Sequence, residues 1–323
     1  MKQKLALVGT LCALIALIFS SARVIDSARD ALSVCAQLIL PSLFPFFVLS
    51  KLLGKLGLPE KLGRRLAPVA GRLFGVSGAG LTALFVGLTG GYPMGAASVA
   101  GMVECGLIGR KEAETSLAFC NNSGPAFLVG AVGAGVFASP AAGLLLYAAH
   151  VLAALLTGFL LRGSEEVSIH NTVYISNENK FYVAFPAAVR ESVSAVLTVC
   201  GFVVCFSVLV GMLDVCGLFG LVSTRLAALT GMEAQAARAL LCGFFELGGG
   251  VGTLRGLPLT PGHLALAAAL VGWGGLSVHC QTAAVLCDCE LSLARHTLGR
   301  LLSAALSAAL TFLGALAFPG LLC

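Results

Sequence analysis

The sequence predicts an all-α, polytopic helical membrane protein arranged as two inverted repeats. Three observations carry that reading. Of 323 residues, 58% are hydrophobic and only 11% charged, with a mean hydropathy of +0.97, whereas a soluble domain is about one quarter charged. Apolar runs of membrane-span character recur from end to end, at residues 5–19, 142–161, 193–213 and 301–321. In each half, two further apolar segments are interrupted by Gly, Pro or Asn at matching places, which points to a secondary transporter. The net charge of +5 does not point to nucleic acid, because the basic residues fall in short clusters between spans, where they set topology.

The chain opens with Met1-Lys2-Gln3-Lys4 and the apolar run at 5–19. Ser20-Ser21-Ala22 resembles a signal-peptide cleavage site. Everything downstream is membrane-embedded as well, so the preferred reading is a retained first span. A charge-balanced loop (Arg23, Asp26, Arg29, Asp30) leads to a second span over 31–53, reading LILPSLFPFFVLS, which Pro41 and Pro45 should kink. Residues 54–75 then form a basic amphipathic helix. With Lys51, six cations (Lys51, Lys55, Lys61, Arg64, Arg65, Arg72) stand against Glu60, and Leu58, Leu62, Leu66, Val69 and Leu73 recur at helical spacing. Such a helix lies along the lipid interface. The positive-inside rule puts it and the N-terminus on the cytoplasmic side of a cell membrane.

Two interrupted segments follow, 77–106 broken at TGGYP and 113–137 broken at NNSGP, and then a continuous span to 161. A polar linker covers 163–189. The second half repeats the plan with a span at 193–213, a nearly uncharged amphipathic stretch at 216–229, segments broken at ELGGG and GWGGLS, and a last span over 291–321. The organisation is therefore N-terminal spans at 1–53, a first repeat at 54–162, the linker, and a second repeat at 190–323.

A helix that stops inside a membrane leaves unpaired N–H and C=O groups, at several kcal/mol per group in hydrocarbon. It persists where the break lines a cavity or binds something, and the start of the next half-helix attracts anions. Pro93 and Pro125 each stand where a second half-helix would begin, a position that needs no donor. Thr89 is placed to bind backbone groups at the first break, while Asn122, Ser123 and Ser277 are candidate caps. Glu246 at the third break, and His279 and Gln281 just after the fourth, are polar groups at membrane depth and functional candidates by default. Two plainer readings stay open: Glu246 pairing with Arg255, and His279 as a neutral histidine bonded to a carbonyl. His150, His263 and Asp214 read as structural. The 12 cysteines are scattered without metal-site spacing and read as small packing residues, so no metal and no cofactor is expected.

LPSLFPFFVLS, GLTGGYPMGA, FCNNSGPAFLVGAVG, GFFELGGGVGTL and GGLSVHCQ, in this order and spacing, resemble the YlbJ-type (SpoVV) sporulation integral membrane proteins. These belong to the wider nucleoside-recognition, or Gate, group, similar in arrangement to concentrative nucleoside carriers. The resemblance implies that each half is a Gate-type repeat, its first interrupted segment a re-entrant hairpin and its second an unwound span. It implies a role in spore formation, with dipicolinate passing across the membrane around the forespore, and it leaves monomer or homo-oligomer open. Carried over by position, the implied substrate-binding residues are Gly90, Gly91, Tyr92 and Pro93, then Asn121, Asn122 and Ser123, then Glu246 and Gly248, then Ser277, His279 and Gln281, with Thr89 beside them. Dipicolinate is a small, flat dianion, which suits several helix N-termini around one cavity, with Tyr92 or Trp273 stacking on its ring. The first half carries no acidic residue at either break, which weakens a nucleoside as substrate.

No phosphate loop, paired-His metal motif or nucleophile elbow is present, so an enzyme is not expected. The competing class is a non-transporting scaffold in spore cortex assembly. Besides membrane lipid, the partner implied is a small-molecule anion.

Overall fold

Within a bilayer every backbone polar group has to be paired inside the protein, so spanning segments fold as helices. The computed structural model describes residues 21–163 and 180–321 and six positions between 7 and 18, and every regular element among them is helical. Most of the expected first span, the cleavage-site question at Ser20, and linker residues 164–179 lie outside the described residues.

Helix α1 (Ser21–Val34) runs through a π-helical turn, Cys35–Ile39, into α2 (Leu40–Lys55). The loop expected at 23–30 is therefore helix. Asp26 and Arg29 stand three residues apart on its surface and pair at 2.9 Å, so the charge balance that looked like a connection supports a helix instead. Pro41 falls in the first turn of α2, which needs no donor, and Pro45 lies within the helix.

Helix α3 (Leu58–Phe74) is the basic amphipathic helix. It meets α4 (Gly78–Gly90) at 93°. The first half continues with α5 (Met94–Glu104), α6 (Arg110–Cys120), a π-helical segment (Ala126–Val136) and α7 (Pro140–Leu160). The second half holds α8 (Phe181–Val215), α9 (Leu218–Thr230), α10 (Ala234–Phe245), α11 (Leu247–Gly252), α12 (Pro261–Trp273), α13 (Gly275–Val285) and α14 (Ala294–Ala317). The last residues of the expected linker, from 181 on, are already helical. Among the described residues α7, α8, α12 with α13, and α14 are long and apolar enough to cross a membrane, and α3 with α4 adds a fifth if the bent pair is one span. The chain is thus a polytopic helical membrane protein.

All four breaks fall where the sequence places them. Their backbones also meet in pairs. Gly91 has φ +83°, and a Cβ on it would lie 3.2 Å from the amide nitrogen of Gly124, so the first break rests directly on the second. Gly275, with φ +77°, would carry a Cβ 3.1 Å from Gly243 O, Phe245 O and Leu247 N, so the fourth rests on the third. Helix α14 closes the arrangement, packing along α12 and α7 and crossing α6, while α8 lies against α1 and α2.

Close approach makes the break supports intolerant of added bulk. Gly87 and Gly95 face the Cys120 carbonyl from either side of the first break, whereas nothing lies near Gly101. Gly87→Ala should lower stability by about 1–3 kcal/mol through overpacking. Gly101→Ala should leave it unchanged or raise it. Thermal unfolding of the detergent-purified protein checks both.

Candidate functional site

The breaks surround a partly open cleft of about 60 Å³. Gly91 and Tyr92 come from the first break, Ser123 and Gly124 from the second, Glu246 and Gly248 from the third, and Ser277 and Gln281 from the turn after the fourth. Ile39 and Leu43 beside the π turn, with Val199 and Val203 of α8, form the apolar side. Seven of the residues singled out in the sequence thus share one wall: Gly91, Tyr92, Ser123, Glu246, Gly248, Ser277 and Gln281.

At the third break Glu246 leaves the helix in an extended conformation (φ −138°, ψ 118°), and its carboxylate turns back onto the next half-helix. It accepts from Gly248 N at 2.8 Å and Gly249 N at 2.5 Å, and only 3% of the residue is exposed. It is therefore its own cap. Arg255 is exposed and makes no ion pair with it. At the fourth break the chain passes through Gly274 with φ +83°, and no side chain caps α13. Ser277 Oγ instead accepts from Gln281 Nε2 at 3.2 Å, which leaves Gln281 Oε1 buried without a partner. His279 bonds the Gly275 carbonyl at 2.9 Å and packs between Trp273 and His296, at 4.2 and 5.1 Å between ring centroids. It does not line the cleft, and its hydrogen bond is the plainer of the two roles open to it.

At the first break Thr89 Oγ1 donates to Phe85 O at 2.8 Å, within its own helix, and borders a separate, smaller groove. Gly90 packs against Ser50 and Met94, and Pro93 opens α5 after a cis peptide bond from Tyr92. Asn121 and Asn122 are wholly buried and act as fasteners between segments. Asn121 Nδ2 donates to Thr282 Oγ1 at 2.8 Å, its Oδ1 accepts from Ala96 N at 3.4 Å, and Asn122 Nδ2 donates to Phe119 O at 2.7 Å. The expected caps at the second break do not form: the π-helical segment starts at Pro125 without one. Ser123 N donates to His150 Nε2 at 3.1 Å. His150, midway along α7, thus supports the break, in keeping with a structural role.

The residue that sequence reasoning missed is Arg300. It is wholly buried, donates to Tyr92 OH at 3.0 Å, Ser303 Oγ at 3.3 Å and Asn122 Oδ1 at 3.4 Å, and leaves Nε unpartnered. Among the described residues no carboxylate pairs with it. Tyr92 OH in turn donates to Val271 O at 2.9 Å, so one phenol joins the cleft wall, the second half and the guanidinium. The signal was present in the sequence. His296, Arg300, Ser303, Ser307 and Thr311 recur at i, i+4, i+7, i+11 and i+15, one face of α14, and each is at most 1% exposed.

The bond between Asn121 and Thr282 spans 161 residues and ties one half to the other. In a double-mutant cycle, Asn121→Ala and Thr282→Val should couple by about 1 kcal/mol in unfolding free energy. Additive losses would mean that the two side chains do not hold the halves together.

No family model matches the chain, and no solved structure matches it. Among curated proteins, the sporulation integral membrane protein YlbJ of Bacillus subtilis (strain 168) is 30% identical over 312 residues, covering 89% of this chain and 76% of that protein. An identity of that extent spans all four breaks and the helices that carry them. The chain is a multi-pass membrane protein that belongs to the YlbJ family of sporulation integral membrane proteins.

Proposed function

We propose that the protein is a secondary carrier of a small anionic solute, with the cleft at the four breaks as its binding site. The observation that carries this reading is Arg300, a buried guanidinium beside the cleft with no carboxylate partner among the described residues. A charge inside a membrane protein is costly and is kept for a purpose, and an anionic solute in the cleft would offset it from across the Tyr92 side chain. Tyr92 supplies an aromatic face in the cleft wall and holds the guanidinium directly behind it. The residues proposed to contact the solute are the seven on the wall. Asn121, Asn122 and His150 position the breaks, and Thr89, Gly90, Pro93 and His279 shape the segments around them.

The two halves read as inverted repeats, each with a broken hairpin and an unwound span that pass the solute from side to side, with the α3 face in the cytoplasm. Dipicolinate is the solute that the family resemblance suggests, and its flat dianionic form suits an aromatic wall beside a fixed positive charge.

Uptake of labelled dipicolinate into proteoliposomes tests the reading. Arg300→Met should abolish uptake in a protein that still folds, at a cost of about 1–3 kcal/mol in stability because the buried Asn122 Oδ1 loses its donor. Tyr92→Phe should reduce uptake without abolishing it. Wild-type uptake in Arg300→Met would overturn the anion reading. Absence of both uptake and saturable binding in the wild type would replace the carrier with a scaffold.

A further inference from the structure

We propose that α3 and the groove between α2 and α4 together hold one anionic phospholipid, its phosphate on the arginines of α3 and an acyl chain in the groove. The inference is independent of what the cleft carries.

Helix α3 has three faces rather than two. Gly63, Ala70 and Phe74 are buried, and Leu66 packs with the last two into the core of the first half. Leu58, Leu62, Val69 and Leu73 fall within about 60° of arc on a second face, where Val69 and Leu73 are exposed. Lys61, Arg64, Arg65 and Arg72 are exposed on the third. Arg65 and Arg72 border the apolar stripe about two turns apart. A helix with cations on one flank and bare aliphatic side chains on the next suits the boundary between headgroups and acyl chains, and the guanidinium fork matches phosphate oxygens. The matching helix of the second half, α9, carries Arg225 as its one charge and offers no such face.

The groove is the second, independent observation. Leu53 and Gly54 of α2 and Thr82, Phe85 and Thr89 of α4 wall it, and Leu53 and Phe85 are exposed. Leu58 of α3 belongs both to this lining and to the apolar stripe, so the two surfaces are continuous. From Thr82 to Thr89 the groove follows α4 for about 10 Å, extended along the helix as an acyl chain is. Lys51 and Lys55 of α2 share Glu191 of α8, at 3.5 and 2.6 Å, which leaves the phosphate to α3. At the other end Ser50 lines the groove and also meets Gly90. The chain of the lipid would therefore lie against the backbone that leads into the first break.

The test follows the unfolding midpoint of the full chain in a neutral detergent as phosphatidylglycerol, or phosphatidylcholine with the same acyl chains, is added to the micelles. Phosphatidylglycerol should raise the midpoint saturably, as binding to the folded state requires, and phosphatidylcholine should not. The apparent affinity should fall by at least about tenfold when Arg65→Gln and Arg72→Gln are combined. Gly54→Phe should lower it as well, because nothing lies within 4 Å of a Cβ at that position and the ring would occupy the groove. Arg225→Gln on α9 should leave the response as it is. If the double variant fails to fold, Gly54→Phe carries the test. Equal stabilisation by phosphatidylcholine, or by inorganic phosphate, overturns the site. So does a phosphatidylglycerol response that survives in both the double variant and Gly54→Phe. A response lost in the double variant but kept in Gly54→Phe overturns the groove as the seat of the chain.

Discussion

Everything in this protein depends on one constraint: backbone interrupted inside an apolar layer has to find partners within the chain. The solution is to set the breaks against each other. Gly91 rests on Gly124 and Gly275 on Leu247, contacts that a side chain at either glycine would force apart. Once the breaks are paired within each half, only a few polar side chains are needed to join the halves. Asn121 reaches Thr282, and Tyr92 reaches Val271 and Arg300. The cleft lies where these junctions leave space; one wall carries polar groups because broken helices are polar at their ends, and the rest of the lining is apolar.

This division of labour explains which polar residues meet the cleft. Asn121 and Asn122 carry polar amides at a break, yet both are engaged in holding segments together. The Glu246 oxygens each accept one backbone N–H, and Gln281 keeps its Oε1 without a partner. A side chain whose capacity is fully spent on the fold has none left for a solute, so a polar residue at a break is not for that reason a ligand.

The breaks were legible in the sequence because glycine, proline and asparagine contradict the apolar helix around them. The amphipathic helix α3 was legible for the opposite reason, since its leucines and its cations agree on one period. Arg300 was not, because a basic residue near the start of a last span is ordinarily read as a topology signal. What distinguishes it is the company of Ser303, Ser307 and Thr311 on the same helical face, a pattern visible only when polar residues are read with the helical period. The loop expected at 23–30 failed differently. Balanced charge is common to loops and to helix surfaces, and opposite charges three apart describe the side of a helix. Which polar groups cap and which fasten follows from distances between segments far apart in sequence, and local pattern does not carry that information.

The chain has a single tryptophan, and Trp273 is the last residue of α12. Its indole donates to Phe244 O at 3.1 Å, stacks on the Phe244 ring at 5.6 Å and stands 4.2 Å from the His279 ring. The third and fourth breaks are therefore spanned by one native chromophore, with an imidazole ring beside it. Its emission colour and lifetime depend on how α10 sits against α12, so the unmodified protein carries an optical gauge of the junction on which its cleft is built.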